Sequence, residues 1–201
     1  MEALVHAGGK GSRMGRCGIE KPMQLIGDVP TVQRVVDALS GSPNIDRILV
    51  SVSDNTLETE RYLNERGVET IRTSGDSFMD DLHDAFEVLS GKYVLTCPSD
   101  LPLLTTEVVD KFIDFFDPGT MQSAIAVVDE RTVKDIGIIP SYVREDDGGR
   151  WVLSGICIMD REGTLEGQYL DETLFKTSWV ELSVNVNTPM ELNLARSFFR
   201  E

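Results

Sequence analysis

Ala3-Leu4-Val5-His6-Ala7-Gly8-Gly9-Lys10-Gly11-Ser12-Arg13-Met14-Gly15 decides how the 201-residue chain is read. Ala3 to Ala7 is a short apolar run of the kind buried on both faces of a parallel sheet, and glycines follow at once. A glycine-rich turn leaving a strand presents backbone N–H groups with no Cβ to hold a ligand away, which suits phosphate oxygens. Two familiar versions fail on spacing. The dinucleotide fingerprint needs glycine at its first, third and sixth positions; Gly9 and Gly11 supply two, but the sixth is Met14. The P-loop needs lysine directly after its second glycine, five residues beyond the first, and no register provides it. What remains is Gly8-Gly9-Lys10-Gly11-Ser12-Arg13-Met14 and the trailing Glu20-Lys21-Pro22, with Arg13 and Lys21 as cations beside a loop of amide donors.

Those cations stand out against the totals. With 34 acidic and 19 basic residues the formal charge is −15, so nucleic acid and anionic membrane surfaces are excluded as non-specific partners. A small anion binds such a chain only in a locally positive pocket. At 41% hydrophobic residues the chain can build a substantial core, and no repeat or long linker divides it, so residues 1–201 are expected to form one domain. Cys17, Cys97 and Cys157 are odd in number, far apart and without a CxxC pair, which argues against a disulfide framework or a zinc site. The start lacks a basic leader and no apolar run approaches the ~20 residues that span a bilayer. A soluble, cytoplasmic protein without stable membrane insertion is expected; oligomeric state is not legible.

Outward from the first strand, apolar runs alternate with amphipathic stretches. Val32, Val35, Val36 and Leu39 predict a helix, 45–52 a strand, 57–66 a weaker helix and 68–72 a short strand. Phe78, Leu82, Ala85 and Leu89 mark another helix before a strand at 93–96. Thr105 or Thr106 can cap a helix buried through Val108, Val109, Phe112 and Phe116, and 123–128 is again strand-like. Two apolar runs, near Ile138 and at 151–159, flank the turn Asp146-Asp147-Gly148-Gly149 and predict an antiparallel insertion beside the sheet. Thr188-Pro189-Met190-Glu191 opens the last helix as a capping box. The expected class is α/β: a Rossmann-like, mostly parallel sheet flanked by helices, with a small antiparallel insertion in the C-terminal third.

A bound triphosphate calls for a divalent cation, and Mg²⁺ takes one or two carboxylates together with phosphate oxygens. Asp100, in Cys97-Pro98-Ser99-Asp100-Leu101-Pro102, follows a strand and so stands at its carboxyl end, where open α/β sheets bind ligands. Thr73-Ser74-Gly75, followed by Asp80-Asp81-Leu82, also leaves a strand, and guanine's N1–H and N2 amino donors suit a carboxylate or backbone carbonyls. Trp151 and Trp179 are read as packing residues, His6 as packing on the first strand, and the run Glu145-Asp146-Asp147 as solvated.

The loop with its trailing Lys-Pro resembles the signature of the nucleotidyltransferase superfamily. Taken with Thr73-Ser74-Gly75, the Ser99-Asp100-Leu101 segment and the Asn185-Val186-Asn187-Thr188-Pro189 end, the chain resembles the archaeal GTP:adenosylcobinamide-phosphate guanylyltransferases. The resemblance implies that Ala7 to Met14, Lys21, Thr73, Ser74, Gly75, Asp80 and Asp81 hold GTP. It implies further that Arg13 and Lys21 stabilise its phosphates, that Asp100 and Asn187 hold Mg²⁺, and that Ser154 and Gly155 lie near a phosphate-bearing acceptor. One departure stands out: Arg16-Cys17-Gly18-Ile19 makes the approach to Lys21 about two residues longer than in close relatives, and Arg16 is a candidate extra phosphate contact. A molybdenum-cofactor guanylyltransferase shares the loop and the Asn-Thr-Pro end. A sugar-1-phosphate nucleotidyltransferase and a non-catalytic nucleotide-binding regulatory domain are the remaining alternatives.

Overall fold

The computed structural model describes residues 1–14, 18–140, 142–146 and 148–200. The expectations for Gly15, Arg16, Cys17 and Asp147 lie outside the described residues. In chain order the elements are β1 (Glu2–His6), β2 (Leu25–Ile26), β3 (Val29–Pro30), α1 (Thr31–Ser40), β4 (Arg47–Val52), α2 (Leu57–Asn64), β5 (Glu69–Arg72), α3 (Phe78–Val88), β6 (Tyr93–Pro98), α4 (Thr106–Phe115), β7 (Ser123–Asp129), α5 (Glu130–Asp135), β8 (Val143–Asp146), β9 (Gly149–Asp160), α6 (Arg161–Leu165), β10 (Glu172–Thr177) and α7 (Pro189–Ser197).

The main sheet runs β10-β7-β9-β6-β1-β4-β5, with β8 paired to β9 outside that path. β1 pairs in parallel with both β4 and β6, which makes it central and explains why it is apolar on both faces. Alternation along the strand sends Ala3 and Val5 to the core shared with α1 and α4, and Leu4 to a second cluster with Leu82, Ala85 and Phe86 of α3. The α/β class is as expected, a mostly parallel sheet with helices on both faces. A separate two-stranded antiparallel sheet joins β2 to β3.

Two details differ from the sequence reading. The run near Ile138 is not a strand. The amides of Gly137 and Ile138 bond back to the carbonyls of Lys134 (2.9 Å) and Val133 (3.2 Å), closing α5 with Ile138 tucked against the core. The hairpin partner of β9 is instead β8, with Asp146 opposite Gly149. Nor does β9 stay beside the sheet: it continues inward and pairs antiparallel with both β6 and β7. Its apolar length, longer than a hairpin arm needs, is what fills the centre. The acidic run is also less free than expected, because Asp146 accepts from the Trp151 indole N–H at 3.0 Å and pairs with Lys176 at 2.5 Å.

The predicted caps are present. The Thr105 hydroxyl accepts from the amide of Val108 (3.3 Å) and that of Thr188 from the amide of Glu191 (3.3 Å). Among the described residues, no helix is long and apolar enough to cross a membrane.

Candidate active site

In chain order the sheet grows from β1 through β4 to β5, then returns to add β6 on the opposite side of β1. That reversal leaves a crevice at the carboxyl ends of β1 and β6, where such sheets bind ligands. The glycine-rich loop leaves β1 there and Asp100 follows β6, so two segments some ninety residues apart meet at one edge.

Lys21 is the centre of the arrangement. Its ammonium donates to Asp100 Oδ2 and, at 2.8 Å, to Asn187 Oδ1, which also accepts from the Arg13 guanidinium at 2.9 Å. Asp100 is nearly buried, and its other oxygen accepts from Asn185 Nδ2 at 3.1 Å. The amide of Val186 donates to the Asp100 carbonyl (2.9 Å), which stitches the Asn185–Asn187 segment to the end of β6. The amide of Asn187 turns back to the Asn185 carbonyl at 2.9 Å, a three-residue turn that brings both asparagines to the Lys21–Asp100 pair. The Glu191 carboxylate then accepts from the amide of Asn187 (2.8 Å), so the capping box of α7 also fixes the asparagine before it.

The approach to Lys21 is anchored by a residue the sequence reading did not single out. Glu20 accepts from the amides of Glu58 and Thr59, each at 2.8 Å, and from the Thr59 hydroxyl at 2.6 Å. It caps α2 from outside, where the helix's own Thr56 offers no side-chain cap. The Thr31 hydroxyl, at the start of α1, holds the Pro22 carbonyl at 2.9 Å. The chain is thus clamped on both sides of Lys21. No local sequence signal announces this, because β2, β3, α1 and β4 all lie between Glu20 and α2.

A cleft of about 610 Å³ runs from this cluster along the sheet edge. Ala7 to Arg13, Lys21, Gly75, Asp76, Asp81 and Asp100 line it, whereas Asp80 lies outside, its amide capped by Ser77. Asp81 binds its own loop through one oxygen, accepting from the Ser74 hydroxyl (2.8 Å) and the Gly75 amide (3.0 Å). Thr73 is buried, its amide extending the strand pairing to the Val52 carbonyl at 2.8 Å. Gly75 packs so tightly, with φ +69°, that a Cβ there would stand 2.6 Å from Ser53 Oγ and 2.7 Å from the Gly8 carbonyl oxygen. Ser53 itself donates to that carbonyl at 2.6 Å, joining the two loops. Across the mouth, Lys10 pairs with Asp76 at 2.7 Å, both well exposed.

A second cleft, of about 750 Å³, adjoins the first and shares Arg13, Phe78, Pro98, Asp100, Gly155 and Asn187 with it. Its far wall is apolar, built from Val133, Ile138, Ile139, Pro140, Tyr142 and Val152. Ser154 and Gly155 lie on the wall between them. The Ser154 hydroxyl is committed to the Ala126 carbonyl (2.7 Å), in an irregular stretch of β7–β9 pairing. Gly155, at φ +88°, sits where a Cβ would press on Pro98 at 3.1 Å. Trp151 lines neither cleft.

Among the described residues no group of three His, Cys, Asp or Glu side chains converges as a metal cage. The oxygens of Asp100 and Asn187 nevertheless meet at one cation, the Lys21 ammonium. Two convergent oxygen donors, one anionic, match what Mg²⁺ takes from a protein when phosphate and water supply the rest of its shell.

Residues 3–181 match the MobA-like NTP transferase domain family. The chain is 33% identical to the adenosylcobinamide-phosphate guanylyltransferase of Methanocaldococcus jannaschii over 100% of its own length and 98% of that protein. It is 26% identical to the molybdenum cofactor guanylyltransferase of Ralstonia pickettii, covering 94% of this chain and 93% of that one. Its fold is similar to that of HddC from Yersinia pseudotuberculosis, solved in complex with GMP-PN, at a TM-score of 0.75 with 15% identity over 99% of each chain.

Proposed function

The chain belongs to the MobA-like NTP transferase family and is a nucleotidyltransferase, and from that premise we propose that it transfers GMP from GTP to adenosylcobinamide phosphate with release of pyrophosphate. The observation that carries the reaction type is the junction itself: Arg13, Asp100 and Asn187 face two adjoining clefts at once. One is floored by the glycine-rich loop and suits a nucleoside triphosphate. The other has an apolar far wall and suits a bulky acceptor that ends in a phosphate. Full-length similarity to a protein bearing the corresponding name supports that choice of donor and acceptor.

In this reading an acceptor phosphate oxygen attacks the α-phosphorus of GTP in line; the new P–O bond forms as the bond from the α-phosphorus to the β-phosphate oxygen breaks. The acceptor is already anionic, so no general base is required. Loop amides from Gly8 to Arg13 and the Arg13 guanidinium hold the β- and γ-phosphates, whereas the Met14 amide is spent on the Gly11 carbonyl (3.0 Å); Arg can grip two phosphate oxygens together. Asp100 and Asn187 would hold Mg²⁺, which supplies Lewis-acid polarisation of the α-phosphate. Lys21 then leaves its carboxylate partner for the phosphates, where its charge offsets the charge developing on them.

The test is pyrophosphate release across a panel of GTP, ATP, CTP and UTP against adenosylcobinamide phosphate, molybdopterin and sugar 1-phosphates. Turnover should require GTP and adenosylcobinamide phosphate, and Asp100→Ala should lower it by about 10³-fold while the protein still folds. Turnover only with molybdopterin would move the assignment to the molybdenum-cofactor reading, which similarity over 94% of the chain also supports. Near-native turnover of Asp100→Ala in Mg²⁺ would remove Asp100 from the mechanism.

A further inference from the structure

His6, the last residue of β1, presents a polar atom with nothing to bind. Its Nε2 is shielded from water and has no hydrogen-bond partner among the described residues. The ring rests against Phe78, centroids 4.8 Å apart at 49°, and His6 lines the nucleotide-side cleft next to Ser51 and Thr96 of the neighbouring strands. Burial pulls its pKa down to about 4 against the opposing pull of Asp81, so the ring is neutral at physiological pH and carries one donor and one acceptor nitrogen. A buried nitrogen of this kind is normally satisfied, and each exception calls for an explanation.

Strand order points to the missing partner. β1 lies between β6, which leads to Asp100, and β4, beyond which β5 leads to Thr73-Ser74-Gly75. Strands stand about 4.8 Å apart, so a nucleotide with its α-phosphate at Asp100 and its base beside Gly75 crosses the end of β1 with its sugar. We infer that His6 is a ribose-reading residue, its Nε2 hydrogen-bonding a ribose hydroxyl of the bound triphosphate and so selecting ribonucleotides over deoxyribonucleotides. The inference rests on the nucleotidyl-transfer reading above. A hydroxyl both donates and accepts, so it satisfies Nε2 in either tautomer of the imidazole. It enters beside Phe78, a residue 61% exposed, and exposed side chains change rotamer within nanoseconds.

A histidine present only to pack against Phe78 would leave sugar selection unchanged when replaced by an apolar residue. Calorimetric titration of the full chain in Mg²⁺ with GTP, 2′-deoxy-GTP and 3′-deoxy-GTP separates the cases. The native chain should bind GTP about tenfold more tightly than at least one deoxy form. His6→Leu should bring that ratio close to one, and His6→Gln, which keeps a donor and an acceptor, should restore part of it. Equal affinity for all three nucleotides in the native chain, a measurement that needs no variant, overturns the assignment. So does a ratio that survives in His6→Leu. If the native chain binds none of the three, the nucleotidyl-transfer reading fails, and the assignment fails with it.

Discussion

The two clefts that meet at Asp100 are built on different physical principles. The nucleotide-side cleft is made of loops that leave parallel strands, held by backbone amides, short polar contacts and glycines whose neighbours leave no room for a side chain. The acceptor-side cleft is made of side chains, with Ile139 and Tyr142 standing 83% and 72% exposed on its wall. One surface is specified by backbone shape, so it is intolerant of added atoms. The other is specified by apolar area, so it should tolerate substitution at a graded cost in acceptor affinity. Residues on the two sides should therefore fail in different ways.

Gly75→Ala is the most severe way to break that contrast. The new methyl would enter a position of φ +69° and collide with Ser53 Oγ at 2.6 Å and the Gly8 carbonyl at 2.7 Å. The left-handed backbone and the overpacking together should destabilise the fold by about 2–4 kcal/mol, seen as a lower urea midpoint at unchanged slope. Gly9→Ala is the control, because a Cβ there meets no described residue within 4 Å. If both substitutions cost the same, the nucleotide-side loops are not held together in the way described.

The same contrast explains what could be read in advance. Glycine spacing and the Lys21-Pro22 pair mark the loop that floors the first cleft because the constraint is local: backbone conformation is written into neighbouring residues. Asp100 was legible for the same reason, as a carboxylate immediately after an apolar strand. The apolar wall of the second cleft was not. It depends on β9 inserting between β6 and β7, and a strand's neighbours are decided by long-range pairing that no local pattern encodes. The Ile138 run misled because a buried apolar tail after α5 and a strand have the same composition. Glu20 was missed because its partners, the amides opening α2, lie 38 and 39 residues away. Of the two carboxylates considered for the base, burial and cleft lining separate Asp81 from Asp80, a distinction made by the helix N-terminus rather than by residue type.

Ile139→Ser probes the other wall at an intermediate effect. Because the side chain is exposed in the free protein, its loss should leave thermal stability unchanged. Burial of part of an isoleucine against an apolar acceptor contributes about 1 kcal/mol, so the KM for the acceptor should rise about fivefold while the KM for GTP stays put. A rise confined to the GTP side would mean that this wall belongs to the nucleotide.

The smallest effect belongs to Lys10, whose ion pair with Asp76 spans the mouth of the nucleotide-side cleft. Both groups are exposed, so the pair is screened by water and its removal should leave folding untouched. Its consequence is for binding: Lys10 ties the glycine-rich loop to the loop after β5 and adds positive charge near a triphosphate in a chain of net charge −15. Lys10→Ala should therefore raise the KM for GTP only about two- to threefold at low ionic strength. The difference should vanish in about 1 M salt, where the Debye length shrinks to roughly 3 Å. An effect that persists in high salt would show that Lys10 makes a direct, desolvated phosphate contact. It would then join Arg13 and Lys21 in the proposed phosphate-binding set, and the mouth of the cleft would have to close on the ligand more tightly than the Lys10–Asp76 pair alone requires.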